Sequence, residues 1–282
     1  MISQEFDFHA PTSVAEAVEL LALDEDGKAL AGGMSLVPAM NLGIARPTTI
    51  VSLNRLAELD YVEDGGDSVR IGAMVRHARI ATDPVIAAAF PLLARAGSVI
   101  GDVQVRNRGT IGGSIAHADP AADYLPVMLA LGASFKIVSP SGARTVAAPD
   151  FVLGVMMTVL TPGELLVEIE LPKLPPGTGS AYLRLARLEG SFQIASAAAV
   201  VDGGAPVVAV GGATGLPFLV EVEGWDGAGS DEALGRIEEA ARAAAAETAF
   251  GDLSATLEYR RAMAGVYARR AVEAALAARR AG

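Results

Sequence analysis

Arg106-Asn107-Arg108-Gly109-Thr110-Ile111-Gly112-Gly113-Ser114-Ile115-Ala116-His117-Ala118-Asp119-Pro120-Ala121-Ala122-Asp123 is the stretch from which the rest of this 282-residue chain can be read. It has a shorter counterpart upstream, Ala31-Gly32-Gly33-Met34-Ser35-Leu36. Adjacent glycines turn the backbone through conformations barred to other residues. They also leave no side chain between the backbone N–H groups and a ligand. Successive inward N–H groups form a concavity for anionic oxygens such as a pyrophosphate. Both segments are therefore expected to be loops of this kind, clamping one dinucleotide from two sides.

Composition bounds the reading. The chain carries 22 Lys and Arg against 33 Asp and Glu, a net charge of −11. That balance argues against nucleic acid or an anionic membrane as the main partner. An anionic ligand must then be held by local amides and a few arginines. Half the residues are hydrophobic (51%), so the chain can build a sizeable core. With no cysteine there is neither a disulfide nor a thiolate-held iron–sulfur cluster in this chain. His9, His77 and His117 lack metal-ligand spacing. Met1 to Asp7 does not read as a signal peptide, and no apolar run has the length of a membrane span, so the expected compartment is the cytoplasm.

Outward from the two segments, the pattern predicts alternating elements. Ser13-Val14-Ala15-Glu16 reads as a capping box opening a helix over 13–22. Lys28 to Ala31 is a short strand delivering the first Gly-Gly segment, and Pro38 suits the first turn of a short helix. Strands are expected at 49–53 and 68–71, and helices over 76–99 broken by Pro84 and Pro91. Asp119-Pro120 reads as a cap and first position of a helix that carries Asp123 and ends at Gly132. Strands follow at 134–139 and 143–146, about a Pro140-Ser141-Gly142 turn, and at 164–171. Pro172 to Gly179 is the expected domain boundary. Beyond it, apolar runs at 180–187, 194–202, 205–211 and 216–222 predict an antiparallel meander, closed by alanine-rich helices at 230–246 and 254–280.

Other motifs are weaker. Val210-Gly211-Gly212-Ala213-Thr214-Gly215 has the wrong spacing for a Rossmann fingerprint and reads as a hairpin turn. P-loop and nucleophile-elbow patterns are absent. His117 reads as a loop histidine bonded to backbone. Asp123 reads either as an acceptor for sugar hydroxyls or as an acid stabilised at a helix start.

Taken together, the Ala31–Pro38 run, Arg46-Pro47, Asn54-Arg55-Leu56 and the Arg106–Asp123 run resemble the FAD-binding medium subunits of molybdenum hydroxylases, the family that includes carbon monoxide and xanthine dehydrogenases. The C-terminal Glu258-Tyr259-Arg260-Arg261 and Ala268-Arg269-Arg270-Ala271 are similar to that family's end signature. The resemblance implies an α+β chain with a vanillyl-alcohol-oxidase-type FAD fold. Its parts would be an FAD-binding domain over 1–175, with α/β subdomains at about 1–56 and 57–175, and a C-terminal antiparallel sheet with helices over 176–282. By the same resemblance, Ala31, Gly32, Gly33, Met34, Ser35 and Leu36 would hold the FAD pyrophosphate with Thr110, Ile111, Gly112, Gly113 and Ser114. Asp123 would bind a sugar hydroxyl, and Ile100, Leu160 and Arg184 would lie near the flavin ring. No residue is expected to be catalytic in its own right, and none to bind metal. Two departures stand out: Met34, where such subunits often carry His, Thr or Gln, and Gly190-Ser191-Phe192-Gln193, where the common acid is replaced by Ser191.

What the resemblance implies for function is a heterotrimeric complex, assembled as a dimer of heterotrimers. A large molybdopterin subunit would oxidise substrate, a small subunit with two [2Fe-2S] clusters would relay electrons, and non-covalent FAD on this chain would pass them to an acceptor. Two alternatives remain open. One is a self-contained FAD-dependent oxidase or reductase of the same fold, although the segment after Gly179 shows no acid–base cluster. The other is a nucleotide-binding or assembly module without redox chemistry.

Overall fold

The computed structural model describes residues 5–246 and 248–281; residues 1–4, weighed above for a targeting signal, lie outside them. The chain opens with β1 (Asp7–His9), α1 (Val14–Ala22), β2 (Lys28–Leu30), α2 (Leu36–Asn41) and β3 (Thr49–Ser52). These strands form a parallel sheet in the order β1-β3-β2. Ser13 caps α1 by accepting from the Glu16 amide, while the Glu16 carboxylate reaches back to the Thr12 amide, so the expected box closes one residue early.

Next come β4 (Val62–Asp64), β5 (Ser68–Gly72), α3 (His77–Thr82), α4 (Pro84–Ala89), α5 (Pro91–Val99), α6 (Val103–Arg108), α7 (Ile111–His117) and α8 (Tyr124–Ala130). They are followed by β6 (Ser134–Ser139), β7 (Gly142–Ala147), α9 (Ala148–Phe151), the small hairpin β8 (Val152–Gly154) and β9 (Met157–Thr158), and β10 (Leu165–Pro172). Pro84 and Pro91 each sit at a first helical position, where the missing N–H costs nothing, so three short helices replace one long one. The strands pair as β4-β5-β10-β6-β7, all antiparallel. Leu166, Ile169, Leu171, Ile71 and Phe135 from this sheet pack against Phe90, Leu93 and Tyr124 from the helices. A smaller core, with Val18, Leu21, Val51 and Val167, joins the five-stranded sheet to the N-terminal part.

The C-terminal meander is β11 (Gly179–Ala186), β12 (Gln193–Val201), β13 (Val207–Gly211) and β14 (Phe218–Leu219), antiparallel in that order. All four expected runs carry a strand, the fourth of only two residues. Two helices, α10 (Asp231–Ala244) and α11 (Leu257–Ala281), cover one face. Every residue of β12 is buried. Ala195, Ala197 and Ala199 meet α10 and α11, while Ala198 and Val200 meet the core around α8. The small side chains Ala264, Gly265, Ala268, Ala271 and Ala275 bring α11 close to its neighbours, and a Cβ on Gly265 would strike the Glu238 backbone. The observed architecture is thus the expected α+β one, and Val210–Gly215 joins β13 to β14 as the hairpin reading required.

Two local expectations fail. Gly112 and Gly113 are not in a loop but in the first turn of α7, with Thr110 as its cap. Residues 119–123 do not begin a helix. They form turns, in which Asp119 accepts from the Ala121 amide, and α8 starts only at Tyr124. Ala122 and Asp123 are held by contacts to other elements: Gln193 donates to the Ala122 carbonyl, and Asp123 meets Tyr182 and Arg184.

Candidate functional site

A cleft of about 650 Å³ lies where the N-terminal sheet, α7 and the start of β10 converge. That is the size range of small-molecule and cofactor sites. Ala31, Gly32, Gly33, Met34, Ser35 and Leu36 line one wall, and Thr110, Gly112, Gly113 and Ser114 line another. Ile100, Asp123 and Leu160 complete the set of expected residues brought together here. Two expected residues are not. The Ile111 side chain is fully buried in the main core, because it lies with Ile115 on the core-facing side of α7. Arg184 lies behind the wall, bonded to Asp123 and to the carbonyls of Val99 and Ser191.

The two Gly-Gly segments touch. A Cβ on Gly32 would overlap the Arg108 carbonyl and stand 2.7 Å from Gly109 Cα, and one on Gly113 would stand 3.3 Å from Ala31 Cβ. Their amides have different fates. Those of Gly32, Gly33, Met34 and Ser35 donate to no acceptor among the described residues. Gly33 has φ +77°, the left-handed geometry that turns such amides to a common side. In the second segment Ile111 N donates to Val75 O (3.0 Å), Gly112 N to Ala73 O (3.0 Å), Gly113 N to Thr110 Oγ1 (3.1 Å) and Ser114 N to Thr110 O (3.0 Å). The expectation of two equivalent amide cradles is therefore corrected. The first segment offers unpartnered donors; the second offers a close-packed wall and the Ser114 hydroxyl.

Asp123 is 6% exposed. Burial pushes its carboxyl above the usual range, opposed by Arg184 and by the Tyr182 hydroxyl. Arg184 Nη1 lies 3.1 Å from Oδ1, and Tyr182 donates to the same oxygen at 2.6 Å. A buried ion pair of this kind costs desolvation that its hydrogen bonds must offset. Asp123 stands at the start of α8 without a side-chain cap bond and lines the cleft, and its oxygens are held by Tyr182 and Arg184 of the C-terminal sheet.

Behind the second segment, His77 is buried with Nδ1 3.0 Å from the Tyr124 hydroxyl. Burial, with Arg76 and Arg106 nearby, lowers its pKa to about 4. His117 ends α7 and lines the cleft without the expected backbone bond. Sequence reasoning missed the wall of Thr158, Pro162, Gly163 and Glu164, where Arg144 holds the Glu164 carboxyl down at about 2 through a hydrogen bond of 2.7 Å. It also missed Glu25 and Lys28 at the same end. These come from separate elements with no shared local motif. At the opposite end, Gly190, Ser191 and Phe192 form part of the lining.

The donor set fits a dinucleotide. It provides unpartnered amides for a pyrophosphate, an apolar body and hydroxyls, with no strongly basic field. Among the described residues no helix is long and apolar enough to cross a membrane, and no group of acids and histidines could hold a metal.

Comparison with known proteins gives the same answer. The chain is 40% identical to the carbon monoxide dehydrogenase medium chain of Hydrogenophaga pseudoflava, covering 98% of this chain and 99% of that one. It is 36% identical to the nicotine 6-hydroxylase medium subunit of Paenarthrobacter nicotinovorans, covering 94% and 95%. A reconstituted carbon monoxide dehydrogenase structure from Oligotropha carboxidovorans superposes with a TM-score of 0.93 at 38% identity, covering 99% of this chain and 100% of that one. A family model, the FAD binding domain in molybdopterin dehydrogenase, matches residues 4–174. The chain belongs to the family of FAD-binding subunits of molybdopterin dehydrogenases, which are oxidoreductases.

Proposed function

We propose that this chain is the FAD-carrying subunit of a heterotrimeric molybdenum hydroxylase. A large subunit would hold molybdopterin and oxidise the substrate, and a small one would relay electrons through [2Fe-2S] clusters. The final assembly would be a dimer of heterotrimers, as the family resemblance implies, and its compartment the cytoplasm. When bound, FAD supplies a two-electron acceptor that can hand electrons on to a terminal oxidant. This chain's own part is to bind and orient it. The amides of Gly32 to Ser35 would donate to the pyrophosphate, with Ala31 and Leu36 closing that wall. Thr110, Gly112, Gly113 and Ser114 would form the facing wall, and Ile111 would anchor it from the core. Ile100 and Leu160 would shield the apolar body from water. Arg184 would act through Asp123 and the Ser191 carbonyl, not by touching the ligand. In domain terms, residues 1–175 would carry FAD, in subdomains of about 1–56 and 57–175, and residues 176–282 would close the cleft.

The observation that carries this reading is the row of four unpartnered amides facing a cleft of cofactor size. Hydrogen bonds to a charged acceptor are worth about 1.5–3 kcal/mol each, so several can retain FAD without a covalent link once association costs are subtracted. The test is anaerobic reduction of the assembled enzyme. Carbon monoxide and nicotine, suggested by the names of the two relatives, would be offered separately. Bleaching of the FAD band only when the partner subunits are present supports the proposal. Turnover of a small substrate by this chain alone supports the self-contained enzyme instead.

A further inference from the structure

A second, smaller cavity of about 230 Å³ opens where the two halves of the chain meet, lined by Arg95, Tyr182, Leu183, Arg184, Tyr267 and Arg270. Arg95 comes from α5, Tyr182 to Arg184 from the edge strand β11, and Tyr267 and Arg270 from α11. Three of the six lining residues are arginines, in a chain whose net charge is −11. Arg184 is neutralised by Asp123. Arg95 and Arg270 are not: among the described residues neither guanidinium has a carboxylate or a hydrogen-bond acceptor, and Arg270 only lies over the Tyr267 ring, 5.6 Å from its centroid. The Tyr267 hydroxyl is likewise without a partner. Elsewhere, Arg70, Arg79, Arg144, Arg236, Arg242, Arg260 and Arg269 find acids, whereas other arginines, Arg106 and Arg280 among them, make no ion pair among the described residues; what sets Arg95 and Arg270 apart is that they line one concavity. Arg95 and Arg270 are both exposed at the rim of this concavity, and two guanidinium groups lining one cavity offer planar forks that match a compact oxyanion.

We propose that this cavity is a binding site for a compact oxyanion, a phosphate group or a small dicarboxylate, and that Arg184 couples its occupancy to the main cleft. The coupling follows from shared residues. Arg184 lines the small cavity and also bonds Asp123 and the Ser191 carbonyl, both of which line the large one. An anion beside Arg184 competes with Asp123 for that guanidinium, and so changes how firmly Asp123 and Ser191 are held. The volume excludes a second dinucleotide. This coupling rests on the FAD reading; the anion site itself does not.

The test uses the full chain at low ionic strength. Inorganic phosphate and malonate are titrated separately by calorimetry, in the presence and absence of FAD. The expected result is saturable binding of one anion per chain, weakened at least tenfold in Arg95→Gln/Arg270→Gln and unchanged in Arg280→Gln, a control that removes an exposed arginine outside the cavity. Preference for phosphate or malonate identifies the ligand class. Arg270→Gln alone, checked by thermal melting, keeps the test valid should the double variant misfold. Non-saturable binding, or equal loss in the control, overturns the site. The FAD dissociation rate, read by fluorescence, should change at least threefold on saturation with anion. Saturable anion binding with an unchanged FAD rate overturns the coupling alone, whereas a chain that binds anion but never FAD refutes the main-cleft reading and leaves the site standing.

Discussion

The two Gly-Gly segments look alike in sequence and do different work. In Ala31–Leu36 the glycines free the backbone: Gly33 takes a left-handed φ, and four consecutive amides lack acceptors. In Thr110–Ser114 they allow close packing: a Cβ on Gly112 would overlap Ala73 Cβ and stand 2.7 Å from Ala73 O, and the four amides bond within the protein. The first dipeptide thus supplies donors as well as the close approach of Gly32 to Arg108 and Gly109, and the second supplies proximity alone. What decides between them is whether a neighbouring backbone segment offers carbonyls. The Ala73–Val75 turn after β5 does so for the second segment, and nothing among the described residues does so for the first.

The largest effect is expected where the segments meet. Gly32→Val drives a branched side chain into the Arg108 carbonyl and should weaken FAD binding by about 100-fold, or about 2.7 kcal/mol, measured by equilibrium dialysis. Retention of FAD at the normal level would show that the contact is not tight.

His77 supports the second segment from behind and gives a pH signature. A Cβ on Gly109 would stand 2.5 Å from its Nε2, so the ring fills the space the glycine leaves. Its folded pKa of about 4 lies below the ordinary value of 6.5. Above pH 6.5 the ring is neutral in both folded and unfolded chains, and the fold carries no proton-linked cost. As pH falls from 6.5 towards 4 the unfolded chain takes up the proton first, and stability is lost, by on the order of 3 kcal/mol. Urea unfolding at pH 7 and at pH 4.5 should show this slope in the wild type and a much shallower one in His77→Gln.

Gly112→Ala separates packing from binding. Overpacking against Ala73 should cost about 1–3 kcal/mol of stability, read from urea midpoints, while the FAD affinity of the folded fraction changes less than about threefold, well under 1 kcal/mol. An affinity loss exceeding the stability loss would return the second segment to the role of an amide cradle.

The smallest effects belong to the two serines. Ser35 and Ser114 both line the cleft with hydroxyls that have no partner among the described residues. Alanine at either should weaken FAD by about 0.5–1.5 kcal/mol. Equal losses would mean that the second wall still contributes one polar contact of its own.

Most of the fold was legible because its signals are local. Ser13 capping α1, Pro84 and Pro91 resetting the helices, the turn before Gly142 and the apolar runs of the meander each act within a few residues. The site was legible as a set of segments but not as an arrangement. Gly-Gly disfavours a helix interior, so reading 112–113 as a loop follows from propensity; the carbonyls of Ala73 and Val75 and the Thr110 cap override it. Asp119-Pro120 is a good helix start on local grounds, but Gln193, Tyr182 and Arg184 hold the following residues through contacts from the other end of the chain. Ile111 points inward because of where α7 sits on the core, and nothing in its neighbours reports that.

Amide hydrogen exchange with and without FAD tests the difference between the segments most directly. The account predicts that adding FAD slows exchange across Gly32 to Ser35, while the already bonded amides of Ile111 to Ser114 change little. Strong new protection at 111–114 with none at 32–35 would contradict it.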